Sequence, residues 1–383
     1  MQHGAARVRM TPAAFRSIGF AATALMTMAA LSGGLVSAQA PVLPGELDDK
    51  SFWQLIVELS EPDGYFEDEN YVSNELGYQR SMRRLQEAIP PGGVFVGVGP
   101  EQNFSYVAAL KPAMAFVIDI RRLNMIEHLM YKALFEVSAD RIDFVGRLFS
   151  RVRPEGLTDQ ATADAIFQAY TAAPKDARLF EETLDQMVKV LTDRHQFPLS
   201  AADRAALTKV FTAFSESGPD IMYVFQGTTE RHPTYSQMMT SRDERGEQWS
   251  YLATTARFEH VRMMQRKNLI VPVVGDFAGP KAVRAVGDYV RARGGTIDVF
   301  YASNVESYLF RAGTWKAFYD NLLTLPFGKS ALVVRSFFAA AARECATARP
   351  TIRTPMIGAV QPLLTQYRNQ ELKTQCDLVT ASR

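Results

Sequence analysis

The segment Val94-Phe95-Val96-Gly97-Val98 most narrows what this chain can fold into. It is short, β-branched and apolar at both alternating positions, so neither face is left for water. That pattern belongs to a central strand of a parallel sheet covered on both sides. Pro90-Pro91-Gly92-Gly93 punctuates the chain before it, and the loop Gly99-Pro100-Glu101-Gln102-Asn103 follows. The spacing predicts a helix over 104–110, stopped at Lys111-Pro112, and a second buried strand over 115–119 that ends in the carboxylate of Asp119. This is a β-α-β unit with an acid 20 positions beyond Gly99.

The same rhythm recurs downstream. Strands are expected at 221–225, 269–274, 296–301 and 331–335, separated by helices at 251–265, 279–293, 305–310, 315–323 and 337–346. Two short helices, 51–59 and 74–89, precede the first strand, and a long one over 125–137 follows the second. Strands alternating with helices call for a mostly parallel sheet with helices on both faces. Residues 141–216 break the alternation. They read as wholly helical, with Thr158 and Ser200 as N-caps, Asp203 completing a capping box, and Leu207, Val210, Phe211 and Phe214 forming a core-facing stripe. Such a stretch is too long for one crossover and is expected as an insertion. The resulting division is 1–38, 39–90 (helical), 91–140 (first half of the α/β domain), 141–216 (insertion), 217–347 (second half) and 348–383 (C-terminal tail).

Residues 1–38 carry Arg7, Arg9 and Arg16, no acid, a short apolar run over 18–31, and small residues at Val36-Ser37-Ala38. This is the pattern of a secretory signal cleaved after Ala38, with a membrane anchor as the alternative. The run falls short of the ~20 apolar residues that span a bilayer. The expected destination is the periplasm or the exterior. Removing the three arginines leaves 39 basic residues against 41 acidic, a net charge of −2. That balance argues against nucleic acid as a partner, since such binding relies on a basic patch. No later segment reads as a membrane span. Cys345 and Cys376 are the only cysteines. In an oxidising compartment they can pair and tie down the tail, or they are two unrelated thiols. No zinc-like spacing, no G-x-S-x-G elbow and no phosphate-binding P-loop is present.

The residues V-F-V-G-V-G-P-E-Q-N-F, followed by F-V-I-D, resemble the first two motifs of the class I S-adenosylmethionine-dependent methyltransferases. The stretch 74–150, with V-V-G-D-F-A-G-P-K-A at 273–282 and Y-A-S-N-V-E-S-Y-L-F at 301–310, looks like an uncharacterised bacterial family with a methyltransferase-like fold. The resemblance implies a Rossmann-like, seven-stranded-type sheet with S-adenosylmethionine as the expected cofactor. It implies contacts to that cofactor from Gly97, Gly99, Pro100, Glu101, Gln102, Asn103, Asp119 and Ile120. The loop departs from the family in having Glu101 and Asn103 where further glycines would fall.

Read as chemistry, Gly97 and Gly99 let the backbone turn sharply and approach a ligand. Asp119 is placed to accept from ribose hydroxyls. Glu101 is a partner for an ammonium, and Gln102 or Asn103 for a carboxylate. The alternative is a tight turn that has lost its ligand. Asn124, His128, Gln226, Asp276 and Asn304 are expected at the substrate side: the first two follow Asp119 as a polar wall over the ligand, with a satisfied or exposed histidine as the alternative for His128, and the other three lie in turns on one edge of a parallel sheet. Helix capping is the competing role for Asp276 and Ser303. Two functions follow: an exported methyltransferase-like protein that binds a small molecule at the carboxyl edge, or an S-adenosylmethionine-dependent methyltransferase. The sequence assigns no catalytic residue.

Overall fold

The computed structural model describes residues 42–68, 70–224, 232–336, 345 and 355–382. The first helix, α1 (Asp49–Leu59), begins where the Asp48 carboxylate accepts from the Ser51 N–H, and it turns Phe52, Leu55, Ile56 and Leu59 inward. A single 3-10 turn, Leu76–Tyr78, leads into α2 (Gln79–Ala88). Two strand–helix units follow: β1 (Val94–Gly97) with α3 (Gln102–Leu110), then β2 (Met114–Asp119) with α4 (Arg122–Val137). Every residue of β1 and β2 is buried, as their unbroken apolar runs require. Residues 124–135 of α4 are buried all the way round, because the sheet covers one side and later helices the other.

Those later helices are α5 (Arg141–Leu148), α6 (Ala163–Ala172), α7 (Ala177–Lys189) with a π-helical turn at Val190–Arg194, and α8 (Ala201–Ser217). These helices lie between α4 and the chain's return to the sheet. The last of them starts in the Ser200–Asp203 capping box, and Leu207, Val210, Phe211 and Phe214 face the core. Thr158 caps no helix; Thr162 does, accepting from the Ala165 N–H at the start of α6. Arg141 pins the insertion to the rest. Its buried guanidinium donates to the carbonyls of Leu252 (2.7 Å), Ala253 (3.0 Å), Asp159 (3.3 Å) and Ala161 (2.7 Å). A short α9 (Tyr235–Thr240) and α10 (Thr255–Arg266) return the chain to the sheet.

The second half runs β3 (Ile270–Val274), α11 (Ala282–Arg291), β4 (Ile297–Ser303), α12 (Val305–Ala312), α13 (Trp315–Leu322) and β5 (Phe327–Arg335). It closes with β6 (Met356–Ala359), α14 (Val360–Arg368) and α15 (Gln375–Ala381). One sheet results, in the order β3-β2-β1-β4-β5-β6. All neighbours are parallel except β6, which runs antiparallel to β5.

The fold is thus α/β with a mostly parallel sheet, as expected, but with six strands among the described residues where seven were expected. The strand expected at 221–225 is not in the sheet. Met222 makes only an isolated bridge to Thr234, and residue 225 lies outside the described residues. The segment pairs locally instead, with the Ile221 carbonyl accepting from the Tyr235 N–H at the start of α9. The helix expected over 337–346 also lies outside the described residues, apart from Cys345. Conversely, the tail was expected to be a tail and instead supplies β6.

Two links fasten that C-terminal part, the disulfide and the Arg335–Ser382 hydrogen bond, and a buried glutamate of α12 braces the second. Cys345 and Cys376 form a disulfide with Cα atoms 5.2 Å apart. Fully buried Arg335, at the end of β5, meets Glu306 at 2.9 Å and donates to Ser382 Oγ at 3.0 Å. Tyr319 O–H donates to the same glutamate at 2.5 Å. Among the described residues, no helix is long and apolar enough to cross a membrane.

Candidate functional site

Strand order reverses direction between β1 and β4, since β2 and β3 lie to one side of β1 and β4, β5 and β6 to the other. Ligands of open α/β sheets sit outside the carboxyl ends of the strands at such a point. A cavity of about 390 Å³ lies there. Gly99 and Pro100 after β1, Asp119 and Ile120 at the end of β2, Asp276 after β3, and Ser303 and Asn304 at the end of β4 all line it. Six of the residues expected at the site therefore meet in one cavity: Gly99, Pro100, Asp119, Ile120, Asp276 and Asn304. Gln226 lies outside the described residues.

The others sit behind the cavity wall. Glu101, Gln102 and Asn103 are fully buried, and Asn124 and His128 nearly so. Asn103 holds the loop shut: its Nδ2 donates to the carbonyls of Val98 (3.0 Å), Gly99 (3.1 Å) and Pro100 (2.7 Å). A Cβ on Gly97 would come within 2.0 Å of Asn103 Oδ1. Gly97 therefore makes room for a side chain of its own loop, not for a ligand. Gly99, at φ 77°, supplies the left-handed turn. Both Glu101 carboxylate oxygens accept from the Ser73 N–H, at 3.2 and 3.3 Å, and burial pushes this carboxyl up to about 8. Glu127, buried nearby, is raised further by the same loss of water and by the charge of Glu101. His128 Nε2 lies 2.9 Å from Gly99 O, and burial lowers its imidazole to about 4. A neutral ring with its N–H on Gly99 O fits both facts; His128 braces the loop from below.

Asp119 does reach the cavity, but its carboxylate is already engaged. Oδ1 accepts from the Arg121 backbone N–H at 2.9 Å and from Arg121 Nε at 3.2 Å. The guanidinium also donates to Asn70 O at 3.1 Å and lies over the ring of Phe66. Arg122 turns the other way and pairs with Asp203 of the insertion at 2.7 Å. Asp276 Oδ1 accepts from the Ala278 N–H, closing a local turn. The cap of α11 comes from elsewhere. Glu61 accepts from the N–H groups of Lys281 (2.7 Å), Ala282 (2.8 Å) and Asp276 (3.1 Å). A carboxylate there complements the positive end of the helix.

The sequence reading missed the strap that roofs the cavity. Between α1 and α2 the chain crosses the sheet edge, contributing Tyr65, Phe66, Asn70, Ser73 and Glu75 to the lining. Phe66 packs edge-on against Tyr308 of α12 at 5.1 Å. Asn70 Oδ1 accepts from the Val224 N–H, while its buried Nδ2 finds no acceptor among the described residues. Glu75 reaches the β1/β4 gap. Its Oε1 accepts from Ser303 Oγ at 2.5 Å, and its Oε2 from Gln102 Nε2 at 3.4 Å. Burial raises this carboxyl above the ordinary range, partly offset by those hydrogen bonds. Ser303 is thus not the expected helix cap; no side chain caps α12. The one local signal for the strap was its run of aromatic and acidic residues between two helices, which reads as an ordinary acidic turn.

The model of the Domain of unknown function (DUF7790) matches residues 71–353. The chain belongs to the DUF7790 family. The match takes in β1 to β5, the insertion, Ser73, Glu75 and Ser303. Glu61, Tyr65, Phe66 and Asn70, together with β6, fall outside it. No curated protein matches the chain. Among the described residues no group of His, Cys, Asp and Glu could hold a metal ion.

Proposed function

We propose that this protein is an exported, methyltransferase-like member of the DUF7790 family that binds a small molecule in the cavity at the carboxyl edge of its sheet. The observation that carries the reading is the convergence of four strand ends on one cavity at the strand-order reversal. The lining favours a ligand with an apolar body and a few polar groups, because aromatic walls face a small number of carboxylates and amides. The parallel β3-β2-β1-β4-β5 core with an antiparallel edge strand supports a methyltransferase-like ancestry. A disulfide supports export, since such bonds persist in oxidising compartments. Fusing residues 1–60 to a reporter active only after export tests the destination; activity of a cytoplasmic reporter instead would refute it.

A second reading, S-adenosylmethionine as the occupant, is favoured by one observation: Asp119 ends β2 inside the cavity. Two others weigh against it. The loop space that further glycines would open is filled by Asn103 and Glu101, and Arg121 holds the Asp119 carboxylate. Calorimetry with S-adenosylmethionine and S-adenosylhomocysteine decides between them. The first reading expects no heat with either compound at millimolar concentration, and saturable heat with either would establish the second.

A further inference from the structure

Ser303 has a backbone φ of 49°, in the left-handed region that non-glycine residues rarely occupy. It is the last residue of β4, two positions before α12 begins. The β4–β5 register shifts between Tyr301 and Ser303, and the Ser303 carbonyl is held by the Ser336 N–H at 2.7 Å. The surrounding structure therefore imposes this conformation, and it points the hydroxyl at a carboxylate in a cavity. Strain of this kind clusters at functional sites.

We infer that Ser303 is an activated nucleophile with Glu75 as its base, and that the cavity cleaves a small ester with an apolar part by acyl transfer. Four observations support this. The Ser303 hydroxyl donates to Glu75 Oε1 at 2.5 Å, the nucleophile–base contact such chemistry needs. The strained serine sits at a strand-to-helix turn, the geometry of a nucleophile elbow, although Tyr301 and Val305 stand where G-x-S-x-G has glycines. The uncapped start of α12 lines the same cavity through Asn304 and Val305, so first-turn N–H groups are there for an oxyanion. Finally, the orphaned amide Nδ2 of buried Asn70 offers a donor to an ester oxygen. Burial of Glu75 strengthens it as a base, and Gln102 positions its second oxygen.

The step balances without a cofactor. Ser303 Oγ bonds to the ester carbonyl carbon as its proton passes to Glu75, and the carbonyl π pair moves onto oxygen. Collapse breaks the carbon–alkoxy bond, and the alcohol leaves with the proton from Glu75. Water then attacks the acyl-serine by the same route, releasing the acid and restoring the hydroxyl. Water is the sole co-reactant.

The inference rests on the cavity being the ligand site, and the test separates the two. The purified full chain is treated with a fluorophosphonate, which phosphonylates an activated serine as fluoride leaves and the hydroxyl proton passes to the base, and the adduct is mapped by mass spectrometry. The expected result is one adduct at Ser303, absent in S303G, a variant that suits the positive φ and should fold. In E75Q the labelling should slow by about 10²-fold or more. The wild-type rate should rise with pH as Glu75 ionises, above the usual carboxylate range, and this rise should vanish in E75Q. A panel of p-nitrophenyl esters, with matching non-cleavable ketones followed by thermal shift, completes the experiment. Ketone binding without an adduct at Ser303, or an adduct that survives S303G, overturns the inference and leaves the cavity reading intact. Neither binding nor labelling overturns both.

Discussion

The loop after β1 owes its shape to Gly97 and Asn103, which turn toward each other and not toward the cavity. Gly97→Ala would drive a methyl into Asn103 Oδ1 and so release the amide that ties Val98, Gly99 and Pro100. Urea unfolding should show a loss of about 1–3 kcal/mol, the cost of unmaking buried hydrogen bonds. Two titrating groups flank the same loop and act with opposite signs. His128 is lowered from 6.5 to about 4, so the unfolded chain takes up its proton first as pH falls. Its neutral form therefore contributes stability above pH 6.5, and this is lost between there and pH 4. Glu101 is raised from 4.5 to about 8, so its contribution is present below 4.5 and is lost as pH rises toward 8. Glu101→Gln should hence stabilise the protein at pH 7 by roughly 3 kcal/mol and be neutral at pH 4. Melting curves across that range check it; equal effects at both pH values would contradict the assignment.

Elements built from local pattern were legible, and those built by distant partners were not. The buried strands β1, β2 and β3 and the stripe of α8 follow from apolar periodicity alone, which tertiary packing only reinforced. The segment 221–225 carries the same β-prone signal, but Met222 pairs with nearby Thr234 and not with the sheet, a choice of partner that no local pattern encodes. The site divides the same way. Turn residues such as Gly99, Asp119 and Asn304 could be placed, because parallel strands put their ends on one edge. Glu75 could not, since its partner Ser303 lies 228 positions away. Nor could Glu61, which caps α11 across 220 positions. The insertion makes a test of such long links. Arg141→Lys keeps the charge but loses the planar fork that spans four carbonyls. Hydrogen exchange should speed up across 159–172 while β1 and β2 stay protected; uniform protection would show that Arg141 does not fasten the insertion.

At the scale of the whole molecule, the C-terminal part behaves as a clasp, with β6, the disulfide and the buried Arg335–Glu306 pair acting together. Closing the loop between Cys345 and Cys376, 31 positions apart, is worth roughly 3–4 kcal/mol by chain entropy. The double variant C345S/C376S should lose about that much in denaturant titration, and the loss should match that of the reduced wild type. The clasp also sets a timetable. Chains fold as they emerge, N-terminal parts first, yet here β2 waits for β3 across the whole insertion, and β5 stays an open edge until residues 356–359 arrive. A nascent chain stopped short of β6 therefore exposes an unpaired strand edge and stays sensitive to protease. Under the export proposed above, such late completion would be an asset: the chain would stay threadable for most of its synthesis and lock only after crossing the membrane.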